Sequence, residues 1–406
     1  FEEQPIYEFP QDIYLLEGGG DPARVTGRGE SAVRNGIMLH ALVLAWERFG
    51  DEAALDLATG LANHLCGLSR YFNWKGEFFG HVHSSLWVAA GLIRLGRLAG
   101  ESRFLDRGRD IFRYVSGLSS DFGWVPEYAQ WKPMSEEHCE TCCIRDMILV
   151  AFELIECGEV EHWDLINRYV RNQLTEQQIK TGEFVGVDNS LEDTDDTTFR
   201  DIDKRVIGGY SGGALPNSIS LGRFRSIAGC CVGTAPQALY QVWTRVVTEA
   251  DGRVLVNLPI DKDDPRARVA AGYPNEGWLE VTAGQAGDFG VRVLPFMRSG
   301  LTMTVNGERR PVWVEDGCAR ADGLKPGDVV RLEHDIAERT RREAVAGGEY
   351  DVTWKGCDVV RIDPEGEPLR LYQRIKGALK EVPPPPPRTD GEPGKIDARP
   401  TQQKKK

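Results

Sequence analysis

Three times in the first half of the chain a glycine is followed by an acid, and an apolar residue and a second acid recur at the same offset. The copies are Gly50-Asp51 with Leu55-Asp56, Gly100-Glu101 with Leu105-Asp106, and Gly158-Glu159 with Trp163-Asp164. An apolar stretch of helical period precedes each glycine, as Ile37, Leu39, Leu42, Val43 and Trp46 show for the first. Glycine ends a helix in the left-handed conformation, and the acid starts the next helix at its positive end. Each copy is therefore the bend of an αα-hairpin. A repeat of about fifty to sixty residues built from such hairpins stacks as a solenoid or closes as a toroid. A toroid of six hairpins needs roughly 300 residues, whereas about 250 here are helical or attached loop, so one or two N-terminal hairpins are expected to be missing.

The pattern changes twice further on. Between Thr181 and Gly229 a polar, Asp- and Thr-rich stretch leads into Gly208-Gly209-Tyr210-Ser211-Gly212-Gly213, a long excursion expected to cover a site. A last helix is predicted over Ala235 to Thr248, with Thr234 as its cap and Pro236 in its first turn. After Asp251-Gly252 the period becomes two. Val254–Leu258, Trp278–Thr282, Val291–Leu294, Leu301–Val305, Val329–Glu333 and Tyr350–Trp354 are short strands, and Asn306-Gly307 signals a hairpin. The predicted fold is α then β: an (α/α)6-type toroid of helical hairpins over residues 1–250, then a β-sandwich over 251–380. A Pro- and Lys-rich tail over 381–406 is expected to be disordered. Residues 1–30 are weakly periodic, with a loop at Gly18-Gly19-Gly20.

Composition narrows the function. A net charge of −13 argues against nucleic acid or an anionic membrane as partner, and no apolar run approaches the ~20 residues that span a bilayer. Ten tryptophans and eleven tyrosines suit sugar-stacking surfaces as well as a core. The start Phe1-Glu2-Glu3-Gln4-Pro5 carries no leader and reads as the continuation of a longer chain. Nine unevenly clustered cysteines do not form a secreted disulfide framework, so reduced thiols and a cytoplasmic location are expected.

The cysteines concentrate chemistry in two places. His138-Cys139-Glu140-Thr141-Cys142-Cys143 opens a predicted helix over Ile144 to Gly158, and Cys230-Cys231 sits directly before another. A helix start favours a thiolate. Two or three thiolates with one carboxylate make a tetrahedral zinc shell; buried inert thiols and a disulfide between the stretches are the alternatives. Glu127, between the aromatics of Phe122–Tyr128, is either a general acid with a raised pKa or a surface glutamate. His81 and His83, at a helix start, would bind metal or sugar hydroxyls, or serve only as hydrogen-bonding residues of the helix end.

The run Glu140-Thr141-Cys142 opening a helix, with Gly229-Cys230-Cys231 far downstream, resembles glycoside hydrolase family 127, the β-L-arabinofuranosidases and their relatives. The resemblance covers most of Ser31 to about Asp335. It implies an (α/α)6 barrel followed by β-sandwich domains, and a zinc ion held by Glu140, Cys142, Cys230 and Cys231. It further implies Cys230 as nucleophile, Glu127 as acid/base, and a sugar contact at Gly80-His81. The chain departs from the family in having Val232-Gly233-Thr234 after the paired cysteines, Ala228 before them, and Cys143 as an extra thiol. The implied activity is retaining hydrolysis of a glycoside, with a homodimer left open. Two other readings stand beside it. One is a lyase or epimerase with structural zinc and with His81 and His83 as acid and base; the other is a non-catalytic carbohydrate-binding fragment.

Overall fold

The computed structural model describes residues 36–69, 71–130, 138–220, 227–367 and 369–372, all within the first of two units, Phe1–Gln373. The Gly18–Gly20 loop and the tail over 381–406 lie outside the described residues. The helices come as hairpins. Helices α1 (Leu39–Phe49) and α2 (Glu52–Asn63) pack together, as do α3 (Val82–Ala99) and α4 (Ser102–Leu118), and α5 (Thr141–Ile155) and α6 (His162–Tyr169). A one-turn helix, α7 (Ile202–Arg205), and a last long helix, α8 (Gly229–Thr244), follow.

The glycine half of each expected bend is built as its sequence dictates. The acid, however, begins the next helix only in the first two copies: α6 starts at His162, three residues after Glu159. Gly50, Gly100 and Gly158 all take positive φ, at 66°, 73° and 92°. Asp51 caps α2 by accepting from the amides of Ala53 and Ala54, each at 3.1 Å. The acid at Glu101 makes no such cap, so in that copy the charge acts on the helix end only through its field.

Helices α1, α3, α5 and α8 form an inner row: α3 packs against α1 and α5, and α5 against α8. Burial follows position, since every residue of α5 from Thr141 to Leu154 is buried, which a helix meets only when it is covered on all sides. Glycines let the hairpin partners approach. A Cβ on Gly96 of α3 would lie 2.6 Å from the Leu105 amide nitrogen, and one on Gly108 of α4 would lie 2.9 Å from the Ala89 carbonyl oxygen. Gly96→Ala and Gly108→Ala should each destabilise the chain by ~1–3 kcal/mol in urea unfolding, because backbone cannot move aside cheaply. Unchanged midpoints would contradict this packing.

The short Gly-acid bends lie at one end of the row, so the long connections into α3, α5 and α8 all lie at the other. Short bridges tie those connections together. Strand β1 (Gly80–His81) pairs antiparallel with β2 (Tyr128–Ala129), opposing His81 to Tyr128. Pro126 bridges Cys139, and Cys139 bridges Ala214. Trp124, almost fully buried, donates from its indole nitrogen to the Ala214 carbonyl at 3.0 Å. Strand β3 (Ser218–Ile219) lies near the end of the excursion from Thr181.

Two helix boundaries differ from the sequence expectation. Helix α5 starts at Thr141 rather than Ile144 and ends at Ile155. Helix α8 starts at Gly229 and ends at Thr244, so Pro236 lies inside it and Thr234 is not its cap. The Thr234 hydroxyl instead donates to the Cys230 carbonyl at 3.1 Å. A threonine followed by a proline two residues on mimics a helix start. Inside α8 the proline lacks an N–H to bond back, and the helix is held by its neighbours rather than by propensity.

The sheet region starts with β4 (Val247–Ala250), β5 (Arg253–Val256), β6 (Lys262–Asp263), β7 (Ala267–Ala271), β8 (Trp278–Ala283) and β9 (Gly287–Arg292). It continues with β10 (Thr302–Val305), β11 (Glu308–Arg310), β12 (Val314–Glu315), β13 (Cys318–Leu324) and β14 (Val329–Glu333). These form a six-stranded sheet, β11-β10-β14-β8-β7-β6, and a five-stranded sheet, β12-β13-β9-β5-β4. Burial alternates along β8, so its sheet turns one face to the core. Asn306 and Gly307, at φ 51° and 81°, make the two-residue hairpin that the dipeptide signals. The parallel pairing of β5 with β9 carries no local signal and was not anticipated.

A third sheet, β15 (Glu338–Val345), β16 (Gly348–Lys355) and β17 (Asp358–Asp363), is clamped to the π-helical turn Val170–Leu174 that extends α6. Arg171 pairs with both carboxylate oxygens of Asp358, at 2.7 and 3.1 Å. Asn172 donates to the Cys357 carbonyl and accepts from the Val359 amide. Strand β18 (Leu369–Arg370) returns to β3, and the Tyr372 hydroxyl beyond it donates to Gln173 at 2.6 Å.

Candidate metal and catalytic centre

Three inner helices begin at the same place. His81 is the residue before α3, Glu140 the residue before α5 with Cys142 in its first turn, and Cys230 and Cys231 lie in the first turn of α8. Their positive ends converge on acidic side chains, which favours carboxylate and thiolate there.

The donor atoms of Glu140, Cys142, Cys230 and Cys231 all lie within 4.8 Å of one another. Cys142 Sγ and Cys231 Sγ are 3.5 Å apart, and Cys230 Sγ and Cys231 Sγ 3.9 Å. Glu140 Oε1 sits 3.5 Å from Cys230 Sγ and 3.8 Å from Cys231 Sγ. A tetrahedral ion with metal–sulfur bonds of about 2.3 Å requires sulfur–sulfur edges of about 3.8 Å, so these spacings fit. They do not fit a disulfide, whose sulfurs touch at about 2.05 Å, and all nine cysteines are free. The donor set, three thiols and a carboxylate, suits zinc and disfavours a hard cation.

The four donors are not equivalent. Glu140, Cys142 and Cys231 are buried and Cys230 is exposed. Hydrogen bonds from Cys142 and then Cys231 hold the Cys230 thiol far below its ordinary range, whereas the same bonds push Cys142 up. Cys230 is thus the one thiol of the three that a ligand can reach.

The other two cysteines of the first stretch behave as inert core thiols. Burial pushes Cys139 up to about 12, and its sulfur accepts from the Val125 amide at 3.3 Å. Cys143 is likewise raised by burial and lies 3.8 Å from Glu140 Oε2.

A second group adjoins the first through Glu140. His81, Glu127 and Glu140 bring ligand atoms within 4.8 Å of one another. His81 Nε2 lies 3.2 Å from Glu140 Oε2, and its Nδ1 lies 2.9 Å from the Ser84 hydroxyl. Glu127 is fixed by its backbone: its carbonyl accepts from Val82 at 2.9 Å, and its amide donates to His138 at 2.8 Å. Tyr128 lies tilted against His81 with ring centroids 5.1 Å apart.

His83 sits one step further in. Its Nδ1 pairs with the fully buried Asp146, which leaves Nε2 for a ligand, and its ring lies 5.5 Å from that of His81. Asp146 also accepts from Arg145 at 2.7 Å, and Arg145 donates to Gln237 at 3.0 Å and lies over the Trp87 ring. Burial opposes charge on His83, but the Asp146 carboxylate outweighs it, with Glu140 helping and Arg145 opposing, and raises the imidazole to about 9. The folded value lies above the ordinary 6.5, so this stabilisation is complete below about pH 6.5 and lost as pH rises through about 9. An NMR titration of the His83 ring should show a midpoint near 9, lowered in Asp146→Asn. A midpoint at or below 6.5 in the unsubstituted protein would contradict the pairing.

Several neighbours were not legible in the sequence. Thr234 Oγ1 lies 3.2 Å from Cys142 Sγ, on the face of α8 that also carries Cys230. That proximity follows only once the helix starts at Gly229. The Thr141 hydroxyl reaches the Ser211 carbonyl at 2.6 Å, so the end of the Thr181 excursion forms the wall behind Glu140. Its middle, around Asp188 to Arg205, is largely exposed.

No protein-family model matches the chain, and a search of curated proteins finds no relative. Solved structures do resemble it. A GH127 β-L-arabinofuranosidase from Geobacillus stearothermophilus T6 is 16% identical, with 79% of this chain and 57% of that one covered and a TM-score of 0.56. A second structure, also a GH127 β-arabinofuranosidase, is 17% identical over 80% of this chain and 55% of its own, with a TM-score of 0.58. A third, a glycoside hydrolase, is 16% identical over 79% and 59%, at 0.57. The chain spans less than two thirds of the length of each of these structures. At such identity the likeness shows the fold: a toroid-type array of helical hairpins followed by a sheet region.

Proposed function

We propose that this chain carries the catalytic centre of a zinc-dependent retaining glycoside hydrolase of the β-L-arabinofuranosidase type. The observation that carries the reading is the convergence of Glu140, Cys142, Cys230 and Cys231 at tetrahedral spacing, with Cys230 alone exposed and Glu127 beside the cluster.

Zinc held by those four residues would keep the thiols ionised and aimed. The Cys230 thiolate attacks the anomeric carbon, and a C–S bond forms as the glycosidic C–O bond breaks. Glu127 gives its proton to the departing oxygen. A water then enters, Glu127 takes one of its protons, and the hydroxyl displaces Cys230 with net retention. His81 and His83 are the sugar contacts in this reading: His81 Nε2 exchanges its contact with Glu140 for a sugar hydroxyl while Nδ1 stays on Ser84, and His83 lies beside it.

A panel of aryl furanosides and pyranosides tests the reading. Release of the aryl alcohol from at least one L-arabinofuranoside, lost on zinc removal and restored by zinc, is expected. No release from any member by the zinc-loaded protein would overturn it.

A further inference from the structure

The connection that ends in His81 begins with an exposed indole. Trp74 is 77% exposed, whereas Phe72 and Phe78 are buried, and Phe78 meets Tyr114 edge to face at 5.4 Å. Single exposed apolar side chains are ordinary on a protein surface, and Phe79 nearby is 42% exposed too; what sets Trp74 apart is the turn that carries it and the groove beside it.

The turn that carries it is held rigidly. Asn73 Oδ1 accepts from the amides of Lys75 and Glu77 at 2.9 and 3.0 Å, and Asn73 Nδ2 donates to Glu77 at 2.7 Å. Arg107 of α4 donates to the Asn73 carbonyl. Gly76 takes φ +77° so closely against α4 that a Cβ would come within 2.4 Å of the Asp110 backbone. The backbone that carries the indole is therefore preorganised, and a ligand would not have to order the turn on binding.

Beside it lies a groove of about 380 Å³ lined by Trp74, Lys75, Glu77, Asp110, Arg113 and Tyr114, a size typical of small-molecule sites. Its formal charges cancel, two basic against two acidic side chains, and Asp110 and Arg113 are already paired at 2.8 Å. Such a lining offers both donors and acceptors without favouring an anion or a cation, beside an indole that carries the Lys75 ammonium over one face at 5.1 Å and leaves the other face for a ligand. That chemistry fits a neutral sugar ring. A chain of contacts links the groove's lining to the strand pair beside the candidate centre. Tyr114 accepts from Gln130 at 2.9 Å, just beyond β2, whose Tyr128 opposes His81.

We propose that Trp74 and this groove form a second carbohydrate-binding site, a platform for a sugar unit of the same polysaccharide or oligosaccharide whose end reaches the centre at Cys230. The site lies on the end of the helix row where the catalytic residues gather, and it rests on the glycosidase reading for the identity of its ligand.

Binding of soluble arabinan, arabinogalactan and xylan to the full chain, measured by calorimetry on wild type, Trp74→Ala and Trp74→Phe, tests it. At least one polymer should bind wild type, about tenfold more weakly to Trp74→Ala, with Trp74→Phe between them. Equal affinity of wild type and Trp74→Ala, or no binding of any of the three polymers to wild type, would overturn the platform. Hydrolysis of aryl glycosides reports separately on the centre. Trp74-dependent binding without hydrolysis would remove the glycosidase reading and leave the platform, and hydrolysis with Trp74-independent binding would do the reverse.

Discussion

The Cys142→Ala/Cys231→Ala double variant should emerge from purification without zinc, whereas the unsubstituted chain should carry about one ion per molecule. Both sulfurs are buried, and removing them leaves Glu140 and the exposed Cys230 as the only donors of the four. Two ligands do not hold zinc against water and chelator. Elemental analysis of protein grown with zinc reads the result directly. A full complement of metal in the double variant would mean that the ion, if bound, sits elsewhere. Thermal stability should fall with the ion, because a metal that binds only the folded chain stabilises it by mass action. The fall in the double variant should match that of wild type treated with chelator.

Glu127→Gln should lower turnover of glycosides with poor leaving groups by about 10² to 10⁴, the range a positioned general acid supplies. With an activated aryl leaving group the first step no longer needs that proton, while the second still needs the base. The glycosyl-enzyme should then accumulate, and intact mass should rise by one sugar residue. Peptide mapping should find the addition on the segment containing Cys230. Cys230→Ser should abolish the label and turnover together. A label on another residue, or turnover undiminished in either variant, would contradict the assignment of roles.

What the sequence allowed to be read, and what it did not, divides by distance along the chain. The Gly-acid bends were legible because capping is a local event: Gly50 and Asp51 carry both halves of the signal within two residues. The Asn306-Gly307 hairpin was legible for the same reason. Helix α8 was misplaced at its start because Thr234 and Pro236 imitate a cap and first turn, while packing against α5 selects Gly229. That displacement matters chemically, since it puts Cys230, Cys231 and Thr234 on consecutive turns of one helix. The pairing of His83 with Asp146, 63 residues apart, had no sequence signal at all. The pairing depends on α3 and α5 lying side by side. Likewise, Glu127 and His81 are brought together by the two-residue ladder of β1 and β2, which no periodicity can announce.

The inertness of Cys139 and Cys143 also had to come from structure. Spacing alone puts them on a helix with Cys142, yet Cys139 precedes α5 and its sulfur turns toward Val125. The direction of each sulfur separates the core thiols from the cluster, since Cys142 and Cys231 are just as buried.

X-ray absorption at the zinc edge of the purified chain measures the shared ligation directly. The arrangement of Glu140, Cys142, Cys230 and Cys231 requires three sulfurs at about 2.3 Å and one oxygen at about 2.0 Å. A shell of nitrogen and oxygen with no sulfur, or with a single sulfur, would contradict it.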